Sequence, residues 1–169
     1  FEVGDPVSHE DNARIVAKTV DHFGGVDIVV TAAGVNKPGP IVEQPVDEWQ
    51  MVMDVNVKGT YLMLKEAGKV MIEQGRGGKV IIVSSARSTL GMANYTAYCP
   101  SKAATDLLAK SLGCEWGPHN INVNAIAPTV FRSPLTQWMF EDDAFYKNFL
   151  RRIPIGRLGE AEDFIGTVL

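Results

Sequence analysis

Apolar positions along this chain recur with two alternating periods. Over residues 10–23, Ala13, Val16, Ala17 and Val20 fall at helical spacing, and Gly24-Gly25 ends the run. The segment Asp27-Ile28-Val29-Val30 follows at once, short and β-branched, and predicts a buried strand. The succession then repeats. Residues 47–74 carry Trp49, Met53, Thr60, Met63 and Ala67 near one helical face, stop at Gly75-Arg76-Gly77-Gly78, and lead into a strand over 79–83. A third helix over 97–116 stops at Gly117-Pro118 and precedes a strand over 121–126. Helices alternating with short apolar strands predict an α/β fold on a parallel sheet.

Two features break this rhythm. Asn56 lies on the same stripe as Trp49, Met53 and Thr60, a place where an amide needs a polar partner. Residues 128–154 hold Phe131, Trp138, Met139, Phe140, Phe145, Tyr146 and Phe149, an aromatic density that suits a cap over a site.

Composition narrows the function. The 169 residues are 46% hydrophobic with a net charge of −4, enough apolar material for one globular domain and no basic stripe of the kind that binds nucleic acid. A small-molecule substrate is therefore expected. No run reaches the roughly 20 apolar residues of a membrane span. Cys99 and Cys114 form neither a disulfide framework nor a metal-ligand spacing, which favours a reducing, cytoplasmic setting and no metal. Phe1 is not an initiator methionine, and Val168-Leu169 falls inside a helical pattern starting near Glu160, so the chain is expected to be truncated at both ends.

The candidate chemistry lies at the predicted strand ends. Tyr98 and Lys102 are four residues apart, hence on one side of a helix, where a cation can favour the phenolate of a group whose pKa is ordinarily about 10. Alone, that pairing also occurs on exposed helices. Ser85 ends the run Ile81-Ile82-Val83-Ser84-Ser85, which delivers a hydroxyl to the carboxyl edge of the sheet, where ligands of such folds bind. Alone, it is also ordinary turn chemistry. Upstream, Thr31-Ala32-Ala33-Gly34 follows a strand with small residues that let a flat ligand approach the backbone.

Together these segments resemble the short-chain dehydrogenase/reductase family. Thr31-Ala32-Ala33-Gly34 is similar to its Asn-Asn-Ala-Gly motif, Asn56, Ser85, Tyr98 and Lys102 match its catalytic tetrad in order and spacing, and 122–128 is similar to its last strand before a cofactor-contacting loop. The resemblance runs from about Asp5 to the end. It implies a Rossmann-type doubly wound parallel sheet, incomplete at both ends, with residues 1–169 forming part of one NAD(P)-binding domain. Strand order 3-2-1-4-5-6-7 then leaves a strand-three tail at 1–3 and an exposed, unpaired edge on the strand ending at Val30.

The resemblance further implies an NAD(P)-dependent oxidoreductase acting on a ketone or secondary alcohol, with a sugar acid or polyol preferred. Tyr98 is the general acid/base, Lys102 lowers its pKa and holds the nicotinamide ribose, Ser85 binds the substrate oxygen, and Asn56 holds a water that links Lys102 to solvent. Thr31, Ala32, Ala33 and Gly34 line the adenosine half of the cofactor, Asp5 sits near the adenine, and Pro128, Val130 and Ser133 form the nicotinamide loop. The family's homo-oligomers imply pairing through helices 47–74 and 97–116.

Three departures stand out: the sequence contains no Gly-rich phosphate turn after a first strand, Thr31 replaces the motif's first asparagine, and Pro128-Thr129 replaces Pro-Gly. The residue that separates NAD from NADP lies outside the sequence. Arg87 and Arg132 either face the substrate and pair with a carboxylate or phosphate, or pair with surface acids such as Glu141 or Asp142. A different class of function also fits the fold: a non-catalytic dinucleotide-binding or scaffold protein, or a fragment without activity. A nucleotide-sugar epimerase or dehydratase shares the Tyr-x-x-x-Lys spacing but carries a larger C-terminal domain.

Overall fold

The computed structural model describes residues 1–133 and 136–168. Leu169 and the side chain of Trp138, both part of the sequence expectations, lie outside the described residues. The chain divides into two compact units, residues 1–127 and 128–169.

The first unit is a three-stranded parallel sheet with helical connections. Its elements are α1 (His9–Phe23), β1 (Ile28–Thr31), α2 (Val46–Met53), α3 (Thr60–Gln74), β2 (Gly78–Val83), α4 (Tyr98–Trp116) and β3 (Ile121–Ile126), with the strands in the order β1-β2-β3. The register pairs Val29 with Val80 and Val80 with Val123. Both ends of α1 have a local cause. Ser8 caps α1 by accepting from the Asp11 N–H at 3.2 Å, and Gly24 closes it in the left-handed conformation at φ 78°.

The helix expected over 47–74 is two α-helices joined by a π-helical turn, Asp54–Gly59. The extra residue in that turn shifts the helical face by part of a turn. Thr60 and Ala67 stay inside, Trp49 is left more than a third exposed, and Asn56 is turned fully inward. Glycine at 68 serves packing: a Cβ there would lie 2.5 Å from the indole of Trp116, so its absence is what lets α3 and α4 close on each other.

One face of the sheet carries the core. Val29, Val80, Ile82 and Ile121 share that face by register and join Val16 of α1, Leu64, Ala67 and Met71 of α3, and Ala109 and Trp116 of α4 in one buried cluster. Along β1 burial alternates, and Ile28 and Val30, on the opposite face, are 65% and 52% exposed. The expected strand-three tail is not formed. Residues 1–5 are irregular, because a strand exists only where a neighbour takes up its ladder hydrogen bonds, and the described sheet pairs none with them.

In the second unit, α5 (Gln137–Glu141) and α6 (Asp143–Leu150) carry the aromatic segment. Asp142 caps α6 through the N–H groups of Ala144 and Phe145, and the rings of Phe145 and Phe149 stack. The pattern starting near Glu160 is a capping box on the 3₁₀ turn Ala161–Phe164, followed by α7 (Ile165–Val168).

Candidate active site

The carboxyl end of β2 and the first turn of α4 bring the tetrad residues together in the first unit. β2 ends at Val83, and the chain then kinks into a 3₁₀ turn, Ala86–Ser88, with Ser85 as its cap. The Ser85 Oγ accepts from the Arg87 N–H at 3.1 Å and keeps its proton to donate. Tyr98 opens α4, and the Ser85 hydroxyl is hydrogen-bonded to its phenol.

Lys102 lies one turn further and is buried, with its Nζ 5.7 Å from the centroid of the Tyr98 ring. The ammonium donates to the Val83 carbonyl at 2.9 Å, so the last residue of the strand fixes it. Burial pushes its pKa below the ordinary lysine range, opposed by the charge of Asp106. The phenol behaves differently from the sequence expectation. Burial raises the Tyr98 pKa above its ordinary value, and the groups that oppose this are the Ser85 hydroxyl, by its hydrogen bond, and the charge of Arg87. Burial lowers the Lys102 pKa and raises that of Tyr98, so with no ligand bound the lysine gives up its charge before the phenol ionises.

The partner expected for Asn56 is present. Its Oδ1 accepts from the Val35 N–H at 2.8 Å, and its Nδ2 donates to the Val35 carbonyl at 3.0 Å and to the Ser101 hydroxyl at 2.9 Å. The π turn produces this geometry by aiming the amide at the loop after β1 rather than at α4 alone. A Cβ on Gly34 would lie 3.4 Å from Asn56 Oδ1 and 3.6 Å from Lys102 Nζ, so the end of the β1 motif lies directly against two tetrad side chains.

Thr31, Ala32 and Ala33 line a cavity of about 230 Å³ together with Gly4, Asp5 and Pro6. Ala32, Ala33 and Gly34 are exposed, while Thr31 is buried. The Thr31 hydroxyl, standing where the family motif has an amide, finds no hydrogen-bond partner among the described residues. Asp5 reaches the cavity in a turn in which its own Oδ1 accepts the Val7 N–H at 2.9 Å. Buried Asn12 holds that turn by donating to the carbonyls of Pro6 and Ser8. These residues suit the adenosine half of a dinucleotide: small side chains leave backbone accessible beside a cavity, and a carboxylate stands at its rim.

The remaining sequence candidates lie in the second unit. Pro128 is buried, the Val130 carbonyl accepts the Gly159 N–H at 3.1 Å, and the Ser133 hydroxyl is 2.9 Å from that of Thr136. Arg132 lies over the Phe140 ring at 4.1 Å, with Glu160 at 4.0 Å. The acid beside it is thus Glu160, and neither Glu141 nor Asp142.

Sequence reasoning missed two features. Ser101 reads as a helix residue between Tyr98 and Lys102, and its bond to Asn56, forty-five positions away, has no local signal. Gln44 ties the two loops that flank the site: its Nε2 donates to the Lys37 carbonyl at 2.6 Å and its Oε1 accepts from Thr96 at 3.3 Å. Alongside, the Gly39 N–H donates to the carbonyl of Asn94, which holds φ at 67°.

A family model described as "Enoyl-(Acyl carrier protein) reductase" matches residues 3–169. An uncharacterized oxidoreductase of Mycobacterium tuberculosis is 50% identical over 169 residues, covering 97% of this chain and 63% of its own length. The 2-dehydro-3-deoxy-D-gluconate 5-dehydrogenase of Dickeya dadantii is 38% identical over 158 residues, covering 94% of this chain and 62% of its own. Among solved structures, a gluconate 5-dehydrogenase from Burkholderia cenocepacia in complex with NADP and tartrate superposes with a TM-score of 0.93 at 28% identity, over 98% of this chain and 65% of its own. The chain thus spans a little under two thirds of the length of these proteins.

Proposed function

The chain belongs to the short-chain dehydrogenase/reductase family, matched over residues 3–169, and from that premise we propose that its protein is an NAD(P)-dependent oxidoreductase interconverting a ketone and a secondary alcohol of a sugar acid. The observation that carries this reading is the convergence of Ser85, Tyr98 and Lys102 at the carboxyl end of β2, with Asn56 bonded to the segment that follows Gly34.

The bound nicotinamide supplies or accepts the hydride. This chain's residues do the rest. In the reducing direction the Tyr98 phenol gives its proton to the carbonyl oxygen as the hydride arrives at carbon, and in the oxidising direction the phenolate takes it back. Ser85 donates to the same oxygen and holds it beside the phenol. Lys102 presents a cation beneath the ring that favours the phenolate once substrate and cofactor exclude water. Thr31, Ala32, Ala33 and Gly34 hold the adenosine half, with Asp5 at the rim, and Pro128, Val130 and Ser133 correspond to the family's nicotinamide-contacting segment. We assign residues 1–169 to one dinucleotide-binding domain on the same reading.

The substrate class rests on the names of the similar proteins, which act on gluconate and its dehydro forms, and on Arg87, whose charge acts on the Tyr98 phenol and suits a carboxylate. Among the described residues no helix is long and apolar enough to cross a membrane. Two free thiols fit the cytoplasm. A homo-oligomer fits the apolar groove between the π turn and α4, where Tyr61 and Leu107 are at least half exposed.

The test is turnover by the full-length protein with NADH or NADPH on keto sugar acids. Tyr98→Phe should lower kcat about 100- to 10,000-fold while cofactor still binds. Unchanged turnover in that variant refutes the acid/base assignment. Cofactor binding with no turnover on any ketone supports a scaffold protein instead.

A further inference from the structure

Ser101 lies between the two residues that the proposed chemistry uses, and its hydroxyl bonds to neither side chain. It is completely buried. Its hydroxyl donates to the Tyr98 carbonyl at 2.7 Å and accepts from Asn56 Nδ2 at 2.9 Å, so its one proton and one lone pair both have defined partners. The Asn56 amide is committed in turn to both backbone groups of Val35. A continuous chain of four hydrogen bonds therefore runs from the first turn of α4, through the π turn, to the loop after β1.

We propose that Ser101 is a positioning residue: its hydroxyl fixes the rotamer of the Asn56 amide and thereby holds Gly34 and Val35 in register with Tyr98 and Lys102.

The argument is one of orientation. An asparagine amide has two faces, and rotating it by half a turn exchanges an acceptor for two donors. At Val35 the correct orientation satisfies a backbone N–H and a backbone C=O at once, and the reverse sets donor against donor and acceptor against acceptor. Ser101 adds a third constraint with the same sense. Its own proton is spent on the Tyr98 carbonyl, so only a lone pair faces Asn56 and only the amide NH₂ can meet it. In a buried site such bonds are strong when satisfied and costly when one partner is missing. Gly34 precedes Val35, and the Cβ it lacks would lie against Asn56 Oδ1 and Lys102 Nζ, so a shift of the Val35 bracket is a shift of the cofactor-lining segment relative to the lysine.

This inference rests on the catalytic reading above for its effect on turnover, and on geometry alone for its effect on Val35. The experiment therefore reads both, in the full-length protein. Hydrogen exchange at the Val35 amide reports the Asn56 bond directly, because that N–H lies outside the strand ladder. Ser101→Ala should speed Val35 exchange at least about tenfold while β1 and β2 amides keep their protection, and lower kcat on the order of 10- to 100-fold with a smaller change in KM. Ser101→Thr, which restores a hydroxyl, should recover both. Should the alanine variant fail to fold, Ser101→Cys keeps the volume, weakens the bonds and should show the same direction. Thr105→Ala is the comparator: it removes another buried hydroxyl of α4, bonded to the Lys102 carbonyl and not to Asn56, and should leave Val35 exchange unchanged. Unchanged Val35 exchange in Ser101→Ala, equal acceleration in Thr105→Ala, or no recovery in Ser101→Thr would each overturn the proposal. If Tyr98→Phe turns over normally, the functional reading fails, and Val35 exchange still decides the role of Ser101.

Discussion

Lys102 on α4 gives its ammonium to the carbonyl of Val83, the last residue of the central strand, at 2.9 Å. The same nitrogen lies 5.7 Å from the centroid of the Tyr98 ring, so the strand end fixes the lysine beside the phenol, in a buried place.

That burial has a pH signature. The folded-state pKa of Lys102 is lowered, while in the unfolded chain it takes the ordinary lysine value of about 10.4. As pH rises from the folded toward the unfolded value, the folded chain sheds the proton before the unfolded chain does. The unfolded state then binds more protons, and stability rises with pH. Lys102→Met removes the group and should flatten this rise, so the difference in unfolding free energy between wild type and variant changes steadily through the alkaline range. Urea unfolding at several pH values measures it. Parallel curves for the two proteins would show that Lys102 carries no burial penalty.

Tyr98 contributes with the opposite sign. Its folded pKa is raised above the ordinary 10.0, so its contribution is intact below that value and is lost as pH climbs toward the folded one. The phenolate absorbance that disappears in Tyr98→Phe should titrate above pH 10 when no cofactor is bound. Ser85→Ala should move this midpoint higher, because the Ser85 hydrogen bond favours the phenolate. A midpoint below 10, or a downward shift in Ser85→Ala, would contradict the geometry.

The elements were legible because each had a local cause. Gly24 ends α1, Gly75 ends α3, and β3 falls where its β-branched run stands after Pro118. That Tyr98 and Lys102 share one turn and that Ser85 follows a strand could be read from spacing, whereas the roles given to them come from the family resemblance. What stayed hidden depends on distant partners. The π turn at Asp54–Gly59 is shaped by what Asn56 reaches, namely Val35 and Ser101, and nothing in 54–59 names them. The direction of the Tyr98 shift was hidden for a related reason: the spacing showed a nearby cation, and only the fold showed how far the phenol is buried.

Gly68 and Trp116 test the seam between α3 and α4. A methyl on Gly68 would meet the indole at 2.5 Å, and the ring is buried. Alanine gains about 1 kcal/mol of helix propensity over glycine, whereas overpacking a core costs about 1–3 kcal/mol. Gly68→Ala should therefore be neutral to clearly destabilising in wild type and stabilising in a Trp116→Leu background, where the ring is gone. Chemical denaturation of the four proteins gives the coupling, expected at about 1 kcal/mol or more. Additive effects would place the indole elsewhere.

The uncovered face of β1 predicts how the 169-residue chain behaves alone. Ile28 and Val30 point away from the core and are more than half exposed, and among the described residues β1 is paired on one side only, with β2. A parallel strand of this composition is normally covered on both faces, and an exposed apolar edge offers both surface and unpaired backbone groups to a second copy. The chain should self-associate with rising concentration, seen by sedimentation. Lysine at either position places a charge on that face without touching Val29, which faces the core. Ile28→Lys and Val30→Lys should each shift the distribution toward monomer and keep the far-ultraviolet spectrum. If both variants associate like the wild type, the exposed face of β1 is not the sticky surface, and the groove beside Tyr61 and Leu107 becomes the surface to alter next.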